Sequence, residues 1–229
     1  MTIDFATSAL LAIDVQNDFC PAYTAVSGEN RPPGALAVTK GEEVIPPLNA
    51  LGEGLVHAGA RLIATQDWHP PGHVSFASAH PGKQAGDILD LPGVGSQVLW
   101  PDHGVQGSLG AAFHDRFNLH RASLILRKGF RQNLDSYSAF FENDRKTPTG
   151  LDGFLRGLAI TTLIVGGLAT DYCVLYSVLD AVYLGYETLV VVDAVRGVGY
   201  PEGSVERAFQ AMEEAGVSLV DAKEIGRNL

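Results

Sequence analysis

Short apolar runs alternate with amphipathic segments along the whole chain. The runs are rich in leucine and β-branched residues and show little polar alternation, which is typical of parallel strands buried on both faces. They occupy residues 8–15, 61–65, 123–126, 162–165, 188–192 and 217–220. Apolar residues at helical spacing predict helices over 44–55 and 170–184, and a third helix capped by Ser204 and ending at Gly216. This alternation predicts an α/β fold with one open parallel β-sheet, flanked by helices on both faces, in a single domain spanning 1–229.

The charge balance narrows the classes of partner. The 229 residues include 16 Lys and Arg against 26 Asp and Glu, a net charge of −10. This balance argues against nucleic acid and anionic membranes as partners, because both favour a basic surface. No apolar run approaches the ~20 residues of a membrane span, and the first residues carry no basic leader. Two cysteines are too few for a disulfide scaffold. We therefore expect an intracellular, cytoplasmic protein that acts on a small molecule.

Three reactive residue types follow different predicted strands. Asp14 lies near the end of the first run, Lys128 follows the third, and Cys173 begins the helix after the fourth. Ligands of open parallel sheets bind beyond the carboxyl ends of the strands, so these side chains should meet. If Thr170 is the N-cap, Cys173 occupies the third helical position, where the helix dipole favours a thiolate. A nucleophilic thiol with an acid–base partner is one interpretation; a buried structural cysteine is the other.

Asp67 and His69 form a D-x-H pair after the second predicted strand. Residues two apart in extended chain face the same way, so both side chains can bind one ion. The third ligand should come from the Gly- and Pro-rich segment that follows, which contains His73, His80 and His103. One carboxylate and two imidazoles suit Zn(II), Fe(II) or Mn(II). The spacing alone does not choose among the three histidines.

Several long motifs match one known family in the same order. They are LLAIDVQNDFCP, PPGALAV with GEEVIPPLN, TQDWHPPGHVSFASAHPG, LWPDHGVQGSLGAAFH, RKGF followed by DSYSAF, and VGGLATDYCVLYSVLDAVYLGYETLVVVDA. Together they extend from Ser8 to beyond Asp193, and their number and register make the match specific. The chain resembles the nicotinamidases of the isochorismatase-like cysteine hydrolases. This resemblance implies a Rossmann-type three-layer sandwich and a metal-dependent amidohydrolase of NAD salvage, which converts nicotinamide and water to nicotinate and ammonia through a cysteine thioester.

The resemblance also implies a role for individual residues. The implied catalytic triad is Asp14, Lys128 and Cys173, and the implied ligands of one divalent ion, Zn(II) first with Fe(II) or Mn(II) as alternatives, are Asp67, His69 and His103. The backbone N–H groups of Ala169 and Cys173 are implied to form an oxyanion hole, beside a cis peptide between Leu168 and Ala169. The implied aromatic walls around the pyridine ring are Phe19, Trp100 and Tyr137. His73 is implied to lie near the ion and to contact it through water.

Other interpretations remain open at this point. A sibling hydrolase of the same fold would act on another amide, such as a carbamoyl amine. A metal-dependent oxygenase would also use two histidines and a carboxylate, although such enzymes usually have a β-barrel fold, and a non-catalytic binding protein would make the strand-end residues incidental. Relative to the family pattern, residues 22–32 resemble an insertion. A homo-oligomer is compatible with the resemblance.

Overall fold

A central parallel sheet organises the chain. The computed structural model describes residues 3–227. Its strands are β1 (Ser8–Ile13), β2 (Tyr23–Thr24), β3 (Asn30–Arg31), β4 (Arg61–Asp67), β5 (Ile88–Leu91), β6 (Gly95–Val98), β7 (Ala122–Lys128), β8 (Thr162–Leu168), β9 (Glu187–Arg196) and β10 (Ser218–Val220). Its α-helices are α1 (Ile45–His57), α2 (Leu151–Gly157), α3 (Leu175–Tyr183), α4 (Ser204–Glu214) and α5 (Ala222–Gly226).

Six strands form the main sheet in the order β10-β9-β8-β1-β4-β7. Every neighbouring pair is parallel. These six strands coincide with the six predicted apolar runs, so the predicted α/β architecture is confirmed. All six residues of β1 are buried, because this strand lies at the centre and is covered on both faces. The carboxyl ends of β1, β4, β7 and β8 lie along one edge of the sheet.

The helices form a layer on each face of the sheet. On one face, Leu48 and Leu55 of α1 and Ile225 of α5 belong to a core with Leu10 of β1. On the other face, helices α2, α3 and α4 cover a second core that includes Leu11 of β1. Neighbouring residues of one strand thus enter opposite cores, as the alternation of side chains in a strand requires. The result is the three-layer sandwich implied by the resemblance.

Two predicted N-caps were wrong. Thr170 does not cap a helix: it begins a single wide turn of π-helix, Thr170–Val174, which precedes α3. Ser204 does not cap α4 either, because the N-cap is Gly203 with φ at 77° and makes no side-chain bond. The Ser204 hydroxyl instead donates a hydrogen bond to Asp171. At Ser204 a tertiary contact replaces the local capping that the sequence predicts, whereas the buried Thr170 hydroxyl has no hydrogen-bond partner among the described residues.

Two long segments, residues 22–41 and 70–110, are rich in Gly and Pro. Each contains a small antiparallel hairpin, β2–β3 in the first and β5–β6 in the second. The β2–β3 hairpin lies within the segment 22–32 and packs against residues 114–116. There the Tyr23 ring stacks on His114 with centroids 3.8 Å apart, and Arg116 donates to the Thr24 carbonyl at 2.6 Å. Among residues 3–227, no helix is both long and apolar enough to span a bilayer.

Candidate active site

The Lys128 ammonium lies at the centre of a buried polar cluster at the edge where the strands end. Its Nζ is 2.9 Å from Asp14 Oδ2, 2.5 Å from Asp67 Oδ1 and 3.4 Å from Cys173 Sγ. It also donates to the Ser136 carbonyl at 2.9 Å. Burial alone would lower the pKa of Lys128, but the two carboxylates hold it well above the usual value. The structure therefore brings together the three residues predicted to form the triad, with lysine as a permanent cation.

The Asp14 carboxylate is held at both of its oxygens. Oδ2 faces Lys128, and Oδ1 accepts a 2.6 Å hydrogen bond from the Thr65 hydroxyl, which in turn accepts from the Asp14 N–H at 3.1 Å. The backbone of Asp14 adopts a φ of 47°, a left-handed conformation uncommon outside glycine. Burial raises the pKa of Asp14 to about 6, despite the opposing effect of Lys128. Such a carboxylate is ionised at neutral pH, yet basic enough to accept a proton.

Cys173 lies in the wide turn after β8 and is almost fully buried. Its sulfur lies within 4.8 Å of carboxylate oxygens of both Asp14 and Asp67. Burial raises the pKa of the Cys173 thiol well above its usual value, and the opposing effect of Lys128 does not offset it. The sequence predicted a thiolate favoured by the helix dipole, whereas the structure holds a neutral thiol beside a base. Nucleophilic chemistry at this sulfur therefore requires proton transfer to Asp14.

Asp67, His69 and His103 present three ligand atoms to one point. Asp67 Oδ2 is 3.6 Å from His69 Nε2 and 3.8 Å from His103 Nε2. Each imidazole donates its Nδ1–H to a backbone carbonyl at 2.8 Å, His69 to Gly129 and His103 to Pro101. These bonds leave both Nε2 lone pairs facing the carboxylate. Three ligand atoms this close could hold one metal ion, and backbone carbonyls that orient ligating imidazoles are a usual second shell of a metal site.

The other two candidate histidines lie elsewhere. The His73 ring stacks on His69 with centroids 4.3 Å apart, and its nitrogens contact the Ser75 hydroxyl and the Leu134 carbonyl. His80 bonds the Val74 carbonyl through Nε2. Neither ring belongs to the cluster around Asp67 Oδ2. A contact of His73 with an ion through water stays a prediction.

The aromatic residues expected around a substrate line one cleft together with the polar cluster. The space in this cleft, including the part open to solvent, is about 360 Å³. It is lined by Phe19, Leu36, Asp67, His69, Trp100, His103, Asp135, Tyr137, Ala169, Tyr172, Cys173 and Val198. The Tyr137 hydroxyl accepts the Trp100 indole N–H at 3.0 Å, which fixes both rings. The peptide between Leu168 and Ala169 is cis, as the resemblance implies.

Several residues of this site carried no recognisable signal in the sequence. Thr65 is one more polar residue in an apolar strand, and Leu36 and Val198 are ordinary apolar residues in loops. Asp135 lies within the DSYSAF motif, but nothing in its spacing connects it to His69 Nδ1, 3.9 Å away. Residues two apart in a strand point to the same face, so Thr65 lies on the same side of β4 as Asp67. This is the only indication in the sequence that Thr65 belongs to the site.

Comparison with known proteins identifies the family of this chain. The Isochorismatase domain family matches residues 8–224. A nicotinamidase of Acinetobacter baylyi is 43% identical over 95% of this chain and 94% of its own length. The structure of a nicotinamidase and pyrazinamidase from Acinetobacter baumanii superposes with a TM-score of 0.87, at 44% identity over 96% of this chain and 98% of that chain.

A third relative was solved with a metal ion. The pyrazinamidase of Pyrococcus horikoshii in complex with zinc superposes with a TM-score of 0.72, at 31% identity over 94% of this chain and 99% of that chain. Together with the Asp67–His69–His103 cluster, this structure supports a divalent metal here. Because the family matches nearly its full length and a relative is 43% identical over 95% of it, this chain belongs to the isochorismatase family of hydrolases.

Proposed function

We propose that this protein is a nicotinamidase, which hydrolyses nicotinamide to nicotinate and ammonia as a step of NAD salvage. The observation that carries the proposal is the contact of one lysine with the Cys173 sulfur and the Asp14 carboxylate, at the end of an aromatic cleft. The 43% identity to a curated nicotinamidase supports the choice of substrate.

The first half of the reaction transfers the acyl group to sulfur. Asp14 accepts the thiol proton of Cys173, and the sulfur attacks the carboxamide carbon. We assign the backbone N–H groups of Ala169 and Cys173 to the oxyanion of the tetrahedral intermediate. Asp14 then returns the proton to the amide nitrogen, the C–N bond breaks and ammonia leaves. The result is a thioester on Cys173.

The second half releases the acid. Asp14 removes a proton from a water molecule, and the resulting hydroxide attacks the thioester carbon. The C–S bond breaks, Asp14 returns the proton to the sulfur, and the nicotinic acid loses its carboxyl proton to water and leaves as nicotinate. Throughout both halves, Lys128 stays charged and holds Asp14 within reach of the thiol. A pKa of about 6 lets Asp14 serve as base and acid in turn at neutral pH.

Asp67, His69 and His103 would hold the divalent ion, for which Zn(II) is our first choice. When bound, the ion supplies a Lewis-acid anchor for the pyridine nitrogen. Phe19, Trp100 and Tyr137 would enclose the ring, and we expect this arrangement to set the carboxamide against Cys173.

Both cysteines are free. Because a thiol nucleophile must stay reduced, we also propose a reducing compartment such as the cytoplasm.

The test is ammonia release from purified protein with nicotinamide, benzamide and an N-carbamoyl amine as parallel substrates. We expect turnover of nicotinamide, with kcat/KM rising as the pH passes through about 6 and Asp14 becomes ionised. Benzamide is the matched control, because it has the same carboxamide and ring size without the ring nitrogen. Faster hydrolysis of the carbamoyl compound would assign the protein to a sibling activity instead.

Removal of the metal should weaken substrate binding more than it slows chemistry. After chelation, we expect KM for nicotinamide to rise on the order of tenfold or more, while the unfolding midpoint changes far less. Addition of Zn(II) should restore the original KM. The variant His80→Ala removes a histidine that lies outside the cluster, so chelation and Zn(II) should change its KM in the same way as that of the wild type. An unchanged KM in fully demetallated protein would contradict the anchoring role.

A further inference from the structure

One wall of the substrate cleft comes from the loop between β9 and α4. This loop, residues 197–203, contributes Val198 to the cleft lining. Val198 follows β9, whereas the other described residues that line the cleft come from the main-sheet strands β1, β4, β7 and β8 or from the segments after them. Its position therefore depends on what holds this loop against the rest of the site.

The Asp171 carboxylate holds the loop. Its Oδ1 accepts the Val198 N–H at 2.9 Å, and its Oδ2 accepts the Gly199 N–H at 2.9 Å and the Ser204 hydroxyl at 2.5 Å. Asp171 is 6% exposed, so these three bonds form largely away from water. Hydrogen bonds to a buried charged acceptor are among the stronger ones in proteins.

The same loop is tied down at two more points. The Tyr172 hydroxyl donates to the Tyr200 carbonyl at 2.6 Å. At Gly197 there is no space for a side chain, because a Cβ atom would lie 2.3 Å from Val205 Cγ2 and 3.1 Å from Asp171 Oδ1. Asp171 and Tyr172 immediately precede Cys173. The turn that carries the sulfur thus also holds the wall of the cleft.

We propose that Asp171 is a positioning residue that keeps Val198 against the substrate cleft and so limits the ring substituents that the enzyme accepts. The proposal rests on the proposed nicotinamidase function and adds a determinant of substrate size. A carboxylate suits this task because its two oxygens accept from three donors. An asparagine side chain has only one acceptor oxygen. Its NH₂ group would replace the second carboxylate oxygen and would face the N–H or O–H donors that this oxygen now accepts. Asp171→Asn should therefore release the loop at Val198 or at Gly199.

The test compares Asp171→Asn with Asp193→Asn. Asp193 lies on β9 and accepts the Ala222 N–H at 2.8 Å, so the control makes the same chemical change at a loop contact outside the cleft. For Asp171→Asn we expect KM for nicotinamide to rise about tenfold, with kcat within about twofold. The relative kcat/KM for a ring-substituted amide, 5-methylnicotinamide, should increase. Ser204→Ala, which removes one of the three donors, should change the same quantities in the same direction and less.

Hydrogen exchange of the 197–203 segment provides a readout that needs no turnover. Asp171→Asn should lose protection there, and Asp193→Asn should not. Faster exchange supports the role of Asp171 even if the wild-type protein releases no ammonia, a result that would count against the proposed function alone. Unchanged exchange, or a fall in kcat with KM and substrate preference unchanged, would overturn the proposal, since Asp171 would then act on the Cys173 turn itself.

Discussion

Replacement of Cys173 by alanine should abolish ammonia release, with a fall in kcat on the order of 10⁴-fold or more. Water would have to attack the amide directly, because the cleft lining, as described within residues 3–227, contains no second thiol and no serine or threonine hydroxyl. The side chain is small and the sheet does not depend on it, so the unfolding midpoint should change little. The measurement is steady-state ammonia release, together with a search for a nicotinoyl adduct on acid-quenched wild-type protein.

Cys20 supplies the matched control for this variant. It is the second free cysteine, and it is buried in the core shared with α1. It does not line the cleft, so it is not a competing nucleophile; burial also raises the pKa of its thiol to about 12. Cys20→Ala should therefore keep the activity. Turnover by Cys173→Ala at a rate near that of the wild type would show that the nucleophile has been assigned to the wrong residue.

Lys128→Met should produce the largest loss of stability of any single substitution in the site. Methionine has a similar length but no charge, so Asp14 and Asp67 would be left buried without their common partner. Breaking a buried ion pair in this way costs about 3–5 kcal/mol of unfolding free energy. The loss should shrink as the pH falls, because protonation of the two carboxylates removes the uncompensated charge. Activity should be lost at every pH, since Asp14 is no longer held beside the thiol.

Urea denaturation at several pH values measures this effect. Lys40→Met is the matched control: Lys40 is exposed and makes only a 3.6 Å surface contact with Glu43, so its removal should cost less than about 1 kcal/mol. Because a bound cation would neutralise part of the charge on Asp67, chelation should destabilise Lys128→Met further. Equal stability of the two variants at neutral pH would contradict the role of Lys128 as the shared counter-ion.

The sheet could be predicted from the sequence because its strands are buried on both faces. Runs such as Thr162 to Val165 are rich in β-branched and apolar residues without polar alternation, and a strand covered by helices on both sides favours that composition. The same reasoning placed Asp14, Asp67 and Lys128 at one edge, since parallel strands direct all their carboxyl ends the same way. Their mutual distances did not follow from the pattern, because the order of strands in a sheet depends on packing.

The parts that could not be predicted depend on long-range contacts. Thr170 and Ser204 are residue types that commonly cap helices. The chain around them is instead held by hydrogen bonds to Asp171, whose partners lie 27 to 33 residues away in sequence. The choice of His103 over His73 and His80 came from resemblance alone, because three histidines in one irregular segment are equivalent until that segment is folded. Leu36 and Val198 reach the cleft from separate loops.

The central position of β1 has a consequence for synthesis of the protein on the ribosome. Its neighbours are β4, which follows soon after, and β8, which begins about 150 residues later. At roughly 5–20 residues per second, the nascent chain exposes one unpaired edge of Ser8–Ile13, apolar in five of its six residues, for about 7 to 30 seconds. Unpaired apolar edges are sites of aggregation. The yield of native protein should therefore depend more on chaperone supply and on slow growth at low temperature than on how stable the finished fold is.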